Sequence, residues 1–388
     1  MKRYFLGSLV AMLLALTQQG LAQDAGAAGQ QAAYAQQMAY AQQMGCAQQM
    51  SYAQQASYAQ PVGPGPQSAV PGMAEQAAAG QPCQECDPAC QAGGDPSWSV
   101  YGDFLYLRAA NAEVPYALAF APAPAPVPAL GPISVVDPDY NPGFRAGFER
   151  KLNETSSIGG NYTFFYSREA DATTAPAGEF LLPLVIQPGT GSAALPFDTA
   201  SASLDVNFQR ANIDYRSVIA CGQTWSLDMI NGVSFAHLSQ DFTSTFVATG
   251  IATTSVISNS NFDGGGIHVG LDVEKRAPNT GFMAYGRAMA SFLAGEFENN
   301  YLQAGTLGTE VNTSWKAGRV VTILDLETGF GWANAKDTIR ITGGYMFNGW
   351  FNVVSTNQFI NAVQSDNFTG LSDALSFDGF VGHVEYRF

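Results

Sequence analysis

Leu324-Asp325-Leu326-Glu327-Thr328-Gly329-Phe330-Gly331-Trp332 puts Leu, Leu, Thr, Phe and Trp on one face of an extended chain and Asp, Glu, Gly and Gly on the other, because successive side chains of a strand point to opposite sides. One face suits lipid and the other water. Ile339-Arg340-Ile341-Thr342-Gly343-Gly344-Tyr345 repeats the scheme, as do Ile267 to Glu274 and Trp225-Ser226-Leu227-Asp228-Met229. A soluble sandwich alternates too. Charge that keeps to one face, with aromatics closing the runs as interface girdles do, favours a transmembrane β-barrel.

Composition agrees. Of 388 residues 46% are hydrophobic, 12% aromatic and 13% charged, about half the charge of an ordinary soluble chain. Mean hydropathy is only -0.01, and beyond the extreme N-terminus no apolar run reaches the roughly 18 residues of a spanning helix. Gly and aromatics, both poor helix formers, are abundant. The fold class expected is all-β, an antiparallel transmembrane barrel of about ten strands (range 8–14), preceded by a low-complexity segment.

Period-two runs place the strands at 97–108, 142–152, 156–168, 202–217, 224–238, 264–275, 281–295, 314–332, 337–351 and 375–388. Short connections alternate with long ones at 109–141, 169–201, 239–263, 296–313 and 352–374, as periplasmic turns alternate with outer loops. Within 202–217, Leu204, Val206 and Phe208 are out of phase with Ile213 and Tyr215, which predicts a bulge near Gln209. Pro122, Pro124, Pro126 and Pro128 stiffen the first long connection.

Two segments precede the barrel. Lys2 and Arg3, an apolar run from Tyr4 to Leu16, and Gly20-Leu21-Ala22 read as a cleaved secretory signal over 1–22. Residues 23–97 contain no Lys or Arg and repeat a hexapeptide, Ala33-Tyr34-Ala35-Gln36-Gln37-Met38 and its copies, a composition that cannot bury enough surface to fold. Cys83, Cys86 and Cys90 lie in this linker, and Cys46 and Cys221 make the total odd. Disulfides, inert thiols and a metal knuckle are open readings. Three Cys without a nearby His make a poor zinc set, and export favours disulfides.

Ser97-Trp98-Ser99-Val100-Tyr101-Gly102-Asp103-Phe104-Leu105-Tyr106-Leu107-Arg108-Ala109, Pro115-Tyr116-Ala117, Pro142-Gly143-Phe144-Arg145-Ala146-Gly147-Phe148 and the closing Phe388 strand resemble the Legionella-type major outer-membrane, pore-forming protein family, over roughly residues 97–388. The resemblance implies an outer-membrane barrel with porin activity, and disulfide-linked homo-oligomers. The Gln/Ala repeat and the cysteine knuckle are not part of its pattern. Val384, Tyr386 and Phe388 alternate in the last strand, similar to the signal by which barrel-assembly machinery recognises its clients.

The net charge of -15 becomes -17 once residues 1–22 are removed, which makes nucleic acid a poor partner. The five long connections hold Glu113, Asp137, Asp139, Glu169, Asp171, Glu179, Asp198, Asp241, Asp263, Glu296, Glu298, Glu310, Asp366 and Asp373 and no Lys or Arg, whereas Arg150, Lys151, Lys275, Arg276 and Lys336 sit at short turns. Asp103, Arg145, Asp228, Asp272, Glu274, Asp325, Glu327, Arg340, Glu385 and Arg387 are the expected pore lining.

The function expected is therefore a porin-like, cation-favouring pore for small hydrophilic solutes. The alternative is a closed structural or surface-interaction barrel with acidic outer loops. No cofactor or metal is expected, and outer-membrane lipid is the surrounding partner. Catalysis is not expected either. His268 and Asp272 are about 13 Å apart along one strand, and His383 and Glu385 about 7 Å, too far to pair. Gly264-Gly265-Gly266 lacks a following Lys and reads as a strand irregularity.

Overall fold

The computed structural model describes residues 97–120 and 129–388. The signal sequence, the repeat, Cys46, Cys83, Cys86, Cys90 and the Pro122–Pro128 stretch lie outside the described residues. Strands β1 (Trp98–Ala110), β4 (Asn141–Asn153), β5 (Ser156–Thr174), β7 (Thr199–Cys221), β8 (Trp225–Ala248), β9 (Ala252–Arg276), β10 (Phe282–Gly305), β11 (Gly308–Ala333), β12 (Ile339–Val353) and β13 (Asp373–Arg387) form one closed antiparallel barrel. The ring closes where β13 pairs with β1, Ser99 opposite Arg387. Trp98 and Phe388 exchange backbone hydrogen bonds of 3.0 and 2.9 Å at its inner end.

Ten strands stand where ten were expected, but the connections differ. Strands β8 to β11 are 24 to 26 residues long, more than twice the 9–11 that cross a bilayer. Residues 239–263 and 296–313 are therefore mostly strand, turning only around Gly250 and Thr306-Leu307. Their outward faces change from Phe235, Ile267 and Phe292 to Asp241, Asp263 and Glu296 where lipid gives way to water. The other long connections carry structure of their own. β2 (Val114–Phe120), β3 (Ala129–Val136) and β6 (Phe180–Pro183) make a small outer sheet. Helix α1 (Thr356–Gln364) opens on Ser355, whose hydroxyl accepts from the Gln358 amide at 3.2 Å, as an N-cap should.

The expected bulge at Gln209 is absent. β7 and β8 pair in unbroken register from Thr199 to Val218, with a shift only between Val218 and Ala220. Leu204, Val206 and Phe208 face inwards and are buried, while Ile213 and Tyr215 face lipid, 55% and 45% exposed. The two apolar sets are on opposite faces because the outer half of the lumen is itself apolar. On β11 the inward side chains run Val321, Ile323, then Asp325, Glu327, then Gly329, Gly331. On β13 they run Leu375, Phe377, then His383, Glu385, Arg387. The lumen is thus layered, with an aromatic core at the end of the long connections, a layer of ion pairs in the middle and open space towards the short turns.

Candidate functional site

The middle layer is built by alternation alone, since strands in register bring inward side chains level with one another. Asp103 on β1 is opposite Arg145 on β4 and His383 on β13. Its carboxylate accepts from Arg145 Nε and lies 2.6 Å from His383 Nδ1. The Arg145 guanidinium then reaches across the lumen to Glu327 on β11 at 2.8 Å. Glu327 also accepts from the Tyr285 hydroxyl at 3.0 Å. A Cβ on Gly329 or Gly344 would come within 2.9 Å of the Tyr285 side chain, so those two glycines leave the room in which this ring lies.

A second set surrounds it. Arg210 on β7 donates to Asp325 on β11 at 2.6 Å and to Ser291 at 2.7 Å, and Asn348 donates to Asp325. Asp272 accepts from Arg287 at 2.9 and 3.0 Å and from Arg216 at 3.3 Å. Nearer the periplasm, Arg340 meets Glu274 at 2.7 Å, and Arg387 meets Glu385 and Asp337 at 2.8 Å each. Asp228 faces the same space with one carboxylate oxygen that has no hydrogen-bond partner among the described residues. A pocket of about 50 Å³ lies within the ion-pair layer, between Arg145, Arg210 and Asp325. Below it a cavity of about 890 Å³, lined by Tyr101, Asp228, Asp272, Arg340, His383 and Arg387 among others, opens to the short turns.

Above that layer the lumen is shut. Phe208 on β7 and Phe377 on β13 come from opposite walls, and their ring centroids are 4.5 Å apart. Phe165 packs on both at 5.7 and 5.5 Å, and Trp350 joins Phe208 to Phe262. α1 buries Phe359, Ile360 and Val363 above these rings, and Gln364 donates to the Leu184 and Ile186 carbonyls at 2.7 and 3.0 Å, tying the helix to the β6–β7 connection. Tyr301 donates to the Val185 carbonyl at 2.8 Å. In the outer sheet Tyr116 donates to Asp171 at 2.9 Å, and burial, then that hydrogen bond, raises its phenol above the ordinary value.

All ten expected lining residues face the interior, but in separate groups: Asp103, Arg145 and Glu327 form one cluster, Glu274, Arg340, Glu385 and Arg387 a second nearer the short turns, and Asp228, Asp272 and Asp325 belong to neither. Arg210, Arg216, Arg287, Asp214 and Glu149 complete the layer and were missed. Arg210-x-Asn212-x-Asp214-x-Arg216 alternates as clearly as any strand in the chain, but the phase problem on β7 hid it. With these arginines counted, Asp103, Asp272, Glu274, Asp325, Glu327 and Glu385 each have an Arg partner, so most of the lumen acid behind the expected cation preference is neutralised, although acids still outnumber arginines there.

The histidines also differ from expectation, because their partners are on other strands. His383 meets Asp103, and His237 meets Asp263 at 2.8 Å on the outer surface. His268 passes over Gly232 to end 2.8 Å from Asp214, too poorly aligned for a hydrogen bond. Outside the barrel, Arg108 and Lys316 pair with Asp137 and Glu298, so the acidic loops are partly neutralised by bases just beyond their ends. Val384, Tyr386 and Phe388 face lipid, each a little over half exposed.

The family described as the Legionella pneumophila major outer membrane protein precursor matches residues 93–388. No curated protein matches the chain. Among solved structures, the outer membrane protease OmpT of Escherichia coli aligns at 10% identity over 77% of this chain and 100% of that one, with a TM-score of 0.43. The toluene transporter TodX of Pseudomonas putida aligns at 8% identity over 78% and 92%, TM-score 0.26. CarO of Acinetobacter baumannii aligns at 9% over 76% and 98%, TM-score 0.27.

Proposed function

The chain belongs to the Legionella pneumophila major outer membrane protein family, and from that premise we propose that it is a porin-like passage for small hydrophilic solutes whose resting state is closed. The observation that carries this reading is the cavity of about 890 Å³, polar and charged, that leads from the periplasmic turns to the Arg145–Glu327 layer. A lumen that served only as packing would have no use for so large a wetted space, since interiors otherwise pack densely. Passage then requires the aromatic layer and α1 to move. No ion preference belongs to the proposal, because six of the inner carboxylates are paired with arginines. The His383–Asp103 pair acts as part of the lumen wall and His237–Asp263 as a surface contact, and the reading is non-enzymatic.

Planar-bilayer recording tests it. The wild type should show rare, small conductance steps, and Phe208→Ala should make them frequent. Silence from both proteins, inserted and folded, overturns the proposal. A second reading, a permanently closed structural barrel, is favoured by the wall-to-wall contact of Phe208 and Phe377. It expects that silence, together with an envelope defect in a strain lacking the protein.

A further inference from the structure

We propose that the lipid-facing wall at β10 holds one phospholipid of the periplasmic leaflet. A surface depression of about 420 Å³ lies there, and its lining is almost wholly apolar. Gly286 and Ala288 form its floor. Val273 and Leu271 on β9 form one wall, and Thr328 and Leu326 on β11 the other. The register makes this a built trough, since Gly286 is opposite both Val273 and Thr328, and Ala288 opposite both Leu271 and Leu326. Neighbouring strands are about 4.8 Å apart, so one strand of small residues between two of larger ones opens a slot about one acyl chain wide. Leu227 on β8 and Tyr345 and Phe347 on β12 form its outer margins.

What points to a phospholipid is the next row towards the periplasm. There Lys275 on β9 is opposite Ala284 on β10, and Trp225 on β8 is opposite Lys275. Lys275 is exposed, faces outwards, and makes no salt bridge among the described residues. It stands one residue before the end of its strand, between Trp225 and the lipid-exposed Phe330. Trp and Lys at this depth mark the membrane–water interface, where a phosphate lies when its chain occupies the slot above. The ammonium and the trough are thus spaced as the headgroup and tail of one lipid.

The inference is independent of whether the lumen conducts. The delipidated protein in detergent is titrated with dioleoylphosphatidylglycerol and with dioleoylglycerol, which lacks the phosphate, and bound lipid is counted by native mass spectrometry. One phosphatidylglycerol per chain is expected. Ala288→Phe, which fills the slot, should abolish this binding, while Lys275→Gln should weaken it about fivefold and bring it level with dioleoylglycerol. Heat-modifiable gel mobility confirms that each variant is folded, and Ala146→Phe on the opposite, lipid-facing wall serves as a folded control. Unchanged phosphatidylglycerol binding in folded Ala288→Phe overturns the proposal. So does a shift of Ala288→Phe from oligomer to monomer with no lipid bound to the wild type, which would assign the trough to a second copy.

Discussion

On β7 the inward side chains are Leu204, Val206 and Phe208 in the outer half, and Arg210, Asn212, Asp214 and Arg216 in the inner half. The same strand therefore lines an apolar core and a charged layer. The outer half behaves as a soluble protein's interior, where rings from opposite walls touch. The inner half holds its walls apart with guanidinium–carboxylate pairs above open space. What changes between the two is the source of stability: contact area above, and mutual neutralisation of buried charge below.

The inner half should break first. Arg145→Ala leaves both Asp103 and Glu327, 4% and 8% exposed, without their shared cation. Removing one partner of a buried pair costs about 3–5 kcal/mol, and two stranded carboxylates place this variant near about 5. Urea unfolding in detergent micelles measures it. A loss under about 1 kcal/mol would mean that water reaches this layer freely and that the two halves differ less than the contacts imply.

Phe208→Ala probes the outer half and should cost about 4 kcal/mol, the usual range for a buried ring, because Phe208 touches Phe165, Phe377 and Trp350 at once. Its pairing with conductance is the sharper readout. Destabilisation without new conductance would mean that the helix α1 closes the lumen unaided.

This contrast also sets what the chain's sequence made legible. Alternation located all ten strands, since lipid imposes one apolar face on each. For the same reason it put the ten expected lining residues on the inward face of their strands. It misread β7, because Leu204 and Ile213 are both apolar and only the depth at which each sits separates core from lipid. It read residues 239–263 and 296–313 as loops because beyond the membrane the outward face turns polar and the inward face mixes Phe242, Phe246, Phe262 and Phe297 with Ser244, Ser258, Ser260 and Asn299, so the periodic signal fades while the hydrogen-bonded ladder continues. The cross-lumen pairs Arg145–Glu327 and Arg210–Asp325 lie far apart in sequence, and no spacing rule joins them.

Ser355→Ala tests whether the helix above the aromatic layer belongs to the rigid core. Loss of the cap on α1 should cost about 1 kcal/mol, read as faster amide exchange confined to residues 356–364. Exchange that spreads into β12 and β13 would instead make the helix an integral part of the outer half.

The smallest effect is expected at the outer edge, where Asp198 accepts the Thr249 amide at 2.6 Å and fixes the β8–β9 tip. That backbone hydrogen bond holds the carboxyl below the ordinary value. A group depressed on folding contributes its stability above the unfolded pKa and loses it as pH falls through the folded one. The contribution should therefore be intact at pH 6 and fade only below about 3.9, the unperturbed Asp value. The Thr249 amide shift followed by NMR from pH 6 to pH 2 should titrate with a midpoint under that value, and Asp198→Asn should flatten the curve. A midpoint at or above it would mean that the tip is held by the strand ladder alone, and that the outer half needs no charged contact even where it meets water.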